Sequence, residues 1–103
     1  MKQSKVGIVG AAGYTGGELI RLLLNHPFVN LDYISSRSQD GKKVYEVHDD
    51  LIGQSELVFT AAYPPELDIL FLCLPHGHSK TFLEKTPIPS ATKIIDLSND
   101  FRL

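Results

Sequence analysis

Val6-Gly7-Ile8-Val9-Gly10-Ala11-Ala12-Gly13-Tyr14-Thr15-Gly16 opens as a β-branched apolar run, breaks into glycines at every third position, and continues into Glu18-Leu19-Ile20-Arg21-Leu22-Leu23-Leu24. That order reads as strand, tight turn and helix. A residue without Cβ lets the backbone turn sharply and bring its amides close to a ligand. Gly10 is expected to end the strand, Gly13 to allow close approach, and Gly16 to let the helix pack on the strand behind it. The partial positive charge of a helix N-terminus suits the turn to a phosphate. The spacing is G-x-x-G-x-x-G rather than the dinucleotide fingerprint G-x-G-x-x-G, and a glycine-rich turn without a ligand is the competing reading. A strand before the glycines and an amphipathic helix after them favour the phosphate site. Gly10, Ala11, Gly13, Tyr14, Thr15 and Gly16 are the candidate contacts in this turn.

Outward from the turn, the first strand is expected over about Lys5 to Val9 and the helix over about Tyr14 to Asn25, where Leu19/Leu23 and Ile20/Leu24 form i,i+4 pairs. His26-Pro27 stops the helix. A second strand is expected from Asn30 to Ser35, with Leu31, Tyr33 and Ser35 on one face and Asp32 and Ile34 on the other. It ends in Ser35-Ser36-Arg37-Ser38. In dinucleotide folds an acid roughly 20 residues past the glycines holds the ribose 2′-hydroxyl of NAD, whereas an Arg accommodates a 2′-phosphate. Arg37 falls at that distance with no acid at the strand end, so Ser36 and Arg37 point to NADP. A solvated surface arginine is the alternative.

Gln39 to Ser55 is polar and carries no firm assignment. His48-Asp49-Asp50 within it reads as solvated rather than metal-binding. Leu57-Val58-Phe59-Thr60 suggests a short third strand. Asp68-Ile69-Leu70-Phe71-Leu72-Cys73-Leu74 is a continuous apolar run, as in a central parallel strand covered on both faces. Cys73 inside it reads as a buried small hydrophobe with a raised pKa, not a nucleophile. The strand ends at Leu74-Pro75-His76, where open α/β sheets bind ligands, so these three residues join the candidate cofactor contacts. His76 and His78 lack a third ligand, and no metal site is expected. Ser79 to Lys85 is a candidate helix and Lys93 to Leu97 the last strand. The order strand, helix, strand, strand, strand, helix, strand argues for a Rossmann-like α/β fold: a mostly parallel sheet with flanking helices and right-handed crossovers.

At 103 residues with 43% apolar content the chain is one folded domain. Ten basic and twelve acidic residues, scattered for a net charge of −2, give no nucleic-acid surface. No run of about 18 apolar residues occurs, and Met1-Lys2-Gln3-Ser4-Lys5 leads straight into a strand, so neither a membrane segment nor a signal sequence is expected and the location is cytoplasmic. The single cysteine excludes an internal disulfide.

Four stretches resemble the amino-terminal part of the N-acetyl-gamma-glutamyl-phosphate reductase family: Val9 through Leu19, Ser36-Arg37, Leu74-Pro75-His76-Gly77, and Ile95-Asp96-Leu97-Ser98-Asn99-Asp100-Phe101-Arg102-Leu103. The glycine stretch is shared with related semialdehyde dehydrogenases, while the final stretch is more specific. Two positions depart from the family pattern: Asp49, where members often have Pro, and Asn99, where a small residue is usual. The resemblance implies an NADP-dependent oxidoreductase of arginine biosynthesis. Its catalytic cysteine, histidine base and substrate domain would lie beyond Leu103. It implies that residues 1–103 are the cofactor-binding fragment of a longer two-domain enzyme, homo-oligomeric when full length, that acts on a small acyl phosphate through a thioester. No catalytic residue is assigned within the chain. A freestanding NADP(H)-sensing module and a fragment similar to aspartate-semialdehyde dehydrogenase are the alternative readings.

Overall fold

The computed structural model describes residues 4–11, 13–36, 41–48, 58–60, 66–74, 78–86 and 88–97, with Tyr14 and Ser79 defined by their backbone alone. Strands β1 (Ser4–Val9), β2 (Val29–Ser35), β3 (Ile69–Leu72) and β4 (Lys93–Asp96) form one parallel sheet in the order β2-β1-β3-β4. Helix α1 (Tyr14–Leu24) joins β1 to β2, and helix α2 (His78–Lys85) joins β3 to β4. This is the expected Rossmann-like arrangement, with the apolar β3 run inside the sheet between β1 and β4. Among the described residues, no helix is long and apolar enough to cross a membrane.

Alternation along β1 and β3 divides the core between the two sheet faces. Val6 and Ile8 pack with Ile20 of α1, together with Leu31, Ile34, Val44 and Phe59. Val9 packs on the other face with Tyr33, Leu67, Leu70, Leu72 and Leu74, against Phe82 of α2 and Ile88. At the base of the sheet the Lys5 amide donates to the Asp68 carboxylate at 2.7 Å, and the Lys93 amide donates to the Asp68 carbonyl at 2.9 Å. Asp68 thus aligns the starts of β1, β3 and β4. On β4, Ile94 and Ile95 remain exposed although they point to opposite faces.

The expected alternation in β2 does not hold. Val6 pairs with Leu31 but Gly7 pairs with Tyr33, so Asp32 is an extra residue that bulges out of the ladder. One inserted residue reverses the phase of everything after it. Leu31 and Ile34 therefore share the α1 face, and Tyr33 lies on the other.

Leu57 to Thr60 was also expected to be a sheet strand. Among its described residues, Val58 makes only an isolated antiparallel bridge to Lys43. Phe59 exchanges backbone bonds at 2.9 Å with Gly41 and Lys42, and the Thr60 amide donates to Ile34 at 2.8 Å. Phe59 is a fully buried core residue carried on a loop. Lys43 and Val47 flank a short 3-10 turn, Val44–Glu46, within the unassigned Gln39 to Ser55 stretch.

Candidate functional site

The glycine turn lies at the carboxyl end of β1, beside the ends of β2 and β3. Gly10 has φ +82°, a left-handed conformation that glycine adopts without strain. That geometry directs two consecutive amides, Gly10 and Ala11, onto the Ser35 carbonyl at 2.9 Å each. A Cβ at Gly10 would stand 2.6 Å from the Cys73 carbonyl oxygen, so the turn also presses on the end of β3. A Cβ at Gly16 would lie 2.6 Å from Ala11 Cα and 2.8 Å from the Gly10 carbonyl oxygen, so this glycine lets the helix close on the turn itself.

Gly13 differs from both. It is the N-cap of α1, has extended backbone geometry, and supplies no side-chain cap to the helix. Among the described residues, a Cβ there would meet only the Gly10 carbonyl oxygen, at 3.8 Å. The amides at the start of a helix lack intrahelical acceptors, and here the N-cap residue, a glycine, offers them no side-chain acceptor. Gly10 and Ala11 shape the turn, because their amides are already committed to Ser35. The donors facing outward belong to the first turn of α1, beginning at Tyr14, Thr15 and Gly16. An open cradle with amides at its rim fits a pyrophosphate.

Ser36 follows directly on the Ser35 carbonyl and is half-buried. Leu74 lies two residues beyond β3 and is buried on the α2 face. The candidates Arg37, Pro75 and His76 lie outside the described residues. The turn, the end of β2 and the end of β3 form one edge of the molecule, which brings Gly10 through Gly16 together with Ser36 and Leu74.

His48 is not the solvated residue that its acidic neighbours suggested. It is buried, and its Nε2–H donates to the Ala11 carbonyl at 2.7 Å, inside the glycine turn. Its ring occupies the notch over Gly17, where a Cβ would stand 2.6 Å from Cε1. The sequence signal was Gly17 itself: a second consecutive glycine in the first helical turn weakens the helix and calls for a packing reason.

Cys73 follows β3, with its amide donating to the Val9 carbonyl at 2.8 Å. Burial, and secondarily the Asp96 carboxylate, pushes its thiol up to about 11. A thiol held neutral in this way is a poor nucleophile, as expected from its place in an apolar run.

The family described as "Semialdehyde dehydrogenase, NAD binding domain" matches residues 5–103. The N-acetyl-gamma-glutamyl-phosphate reductase of Christiangramia forsetii is 54% identical over 99 residues, 96% of this chain and 31% of that protein. The reductase of the same name from Phocaeicola vulgatus is 51% identical over 100 residues, with the same coverage of 96% and 31%. The chain thus spans about a third of the length of these curated relatives. Among solved structures, aspartate semialdehyde dehydrogenase with NADP from Candida albicans superposes with a TM-score of 0.74 at 20% identity, over 98% of this chain and 31% of that one. At that identity the likeness concerns the fold.

Two outcomes follow from these contacts. Gly10→Ala and Gly16→Ala should destabilise the fold, Gly10→Ala by about 1–3 kcal/mol from backbone strain alone. Gly13→Val should leave the melting temperature within a few degrees of the wild type while lowering dinucleotide affinity; thermal melts and fluorescence titration separate the two classes. For Cys73, raising the pKa from 9.0 to about 11 leaves about 100-fold less thiolate at pH 8 than in the unfolded chain. Iodoacetamide should label it correspondingly slowly until denaturant is added. Its contribution to stability is complete below pH 9 and is lost as pH rises towards 11, where the folded thiol also ionises.

Proposed function

Because the chain belongs to the NAD-binding domain family of the semialdehyde dehydrogenases, we propose that residues 1–103 are the dinucleotide-binding domain of a longer two-domain reductase. The reaction is reduction of N-acetyl-glutamyl phosphate to N-acetyl-glutamate semialdehyde, with release of phosphate, in arginine biosynthesis. The observation that carries this reading is identity above 50% over almost the whole chain to reductases of that name. The substrate acyl phosphate and the cysteine that would form a thioester with it belong to the part of the enzyme outside these residues.

Within the chain the work is binding and orientation. The pyrophosphate sits against Gly13, Tyr14, Thr15 and Gly16, where Gly13 leaves room and the first turn of α1 offers its amides. Gly10 and Ala11 hold that turn in shape through Ser35. Leu74, Pro75 and His76 follow β3 in the sequence, where open α/β sheets bind ligands, and are proposed as further cofactor contacts. The cofactor, when bound, supplies a hydride to the acyl carbon.

The cofactor is NADP rather than NAD. Its support is Ser36-Arg37 at the end of β2, with a guanidinium and hydroxyl in place of an acid. Arg37→Ala should weaken NADPH binding by about 1–3 kcal/mol and leave NADH nearly unchanged. Equal losses for the two cofactors, measured by fluorescence titration, would remove Arg37 from the 2′-phosphate site.

The full-length enzyme should catalyse phosphate-dependent oxidation of N-acetyl-glutamate semialdehyde with NADP, followed by absorbance of the reduced cofactor. A preference for aspartate semialdehyde in that assay would overturn the substrate assignment.

A further inference from the structure

The contact between His48 and the glycine turn places a side chain from a distant segment directly behind the phosphate-facing amides. We infer that His48 is a positioning residue for the pyrophosphate site, holding the turn in its binding conformation through the Ala11 carbonyl. This inference rests on the dinucleotide reading above.

The carbonyl of Ala11 carries no proton, so the 2.7 Å contact requires His48 Nε2 to be the donor. Ala11 is itself fully buried, with its amide donating to Ser35. Both polar groups of this residue are therefore fixed: the amide by the end of β2 and the carbonyl by His48. Deleting the imidazole donor would leave a buried carbonyl without that partner, next to the residues that open α1.

His48 is firmly mounted. Its amide donates to the Val44 carbonyl at 2.9 Å, and Val44 is 1% exposed within the α1-face core. Its ring fits only because position 17 lacks a Cβ; one placed there would lie 2.6 Å from Cε1 and 2.8 Å from Nδ1. Gly17 sits in the helix turn whose amides face the ligand, and its own amide donates to the Gly13 carbonyl at 2.9 Å. The imidazole thus contacts both sides of the turn, Ala11 before the cradle and Gly17 after it. A core histidine with no bearing on the cradle would not need a carbonyl from within the turn as its acceptor.

The test uses the full-length protein and three variants. His48→Phe fills the notch without a donor. His48→Gln returns an amide N–H near the Nε2 position. Gly17→Ala pushes the ring aside while leaving it in the chain. Binding is measured with NADPH and with 2′-AMP, which carries the adenosine and 2′-phosphate but no pyrophosphate. His48→Phe and Gly17→Ala should weaken NADPH binding about tenfold, the scale of one lost buried hydrogen bond, and leave 2′-AMP binding unchanged. His48→Gln should recover most of the loss. If Gly17→Ala acts through His48, combining it with His48→Phe should add little further.

Hydrogen exchange supplies a readout that needs no ligand. Amides of Gly13 through Gly17 should exchange faster in His48→Phe and at the wild-type rate in His48→Gln. NADPH affinity unchanged in His48→Phe, or an equal loss of NADPH and 2′-AMP, would overturn the inference. If His48→Phe does not fold, the same outcomes are read from Gly17→Ala. A wild-type protein that binds neither compound would overturn the dinucleotide reading itself, and only the exchange rates would then bear on whether His48 holds the turn.

Discussion

One carbonyl governs the binding edge of this molecule. Ser35 accepts the amides of both Gly10 and Ala11, which fixes the direction in which the chain leaves β1 and enters α1. Two successive amides converge on a single acceptor only because Gly10 takes up a positive φ. With those donors spent, the amides available to an anion are the ones that begin the helix. The division of labour among the glycines follows: Gly10 bends, Gly16 makes room for packing, and Gly13 leaves room among the described residues.

The core behind that edge is uneven. On the α1 face, Ile8, Ile20, Ile34 and Phe59 are almost completely excluded from solvent. Burying a side chain of this size contributes about 1.5–3 kcal/mol, and Leu70 and Leu72 on the opposite face are excluded just as completely. The opposite face relies on β1, β2 and β3 residues covered by Phe82 and Ile88. Towards β4 the cover thins, and Ile94, Ile95 and Leu97 are each about two-fifths exposed. The glycine turn meets both sides of the sheet, with Ala11 in the α1-face cluster and Gly10 against Leu74 of the other.

The parts of the fold that depend on local periodicity were legible in the sequence. Val6 to Val9, the i,i+4 leucines of α1 and the apolar run of β3 announced strand, helix and central strand from their own residues. Contacts made across long sequence separations were not. Phe59 looked like part of a strand because it is apolar among apolar neighbours, yet its burial comes from a loop bonded to Gly41 and Lys42. His48 looked solvated beside two aspartates, and its acceptor is 37 positions earlier in the chain. No window of neighbouring residues contains that bond. In the candidate site the glycines were readable from type and spacing, but the use of Gly10 and Ala11 to grip Ser35 depends on three-dimensional geometry.

The bulge at Asp32 sets a rule of parity for β2. Residues before Asp32 and after it follow opposite parities in the sequence, so removal of Asp32 alone would leave Leu31 opposite Val6 and Ser35 opposite Val9 in one regular ladder. Leu31 would stay in the α1-face core and the Ser35 carbonyl would stay beneath the Gly10 and Ala11 amides. Asp32 is therefore the position in β2 at which the strand can shorten by one residue with both the core and the turn retained.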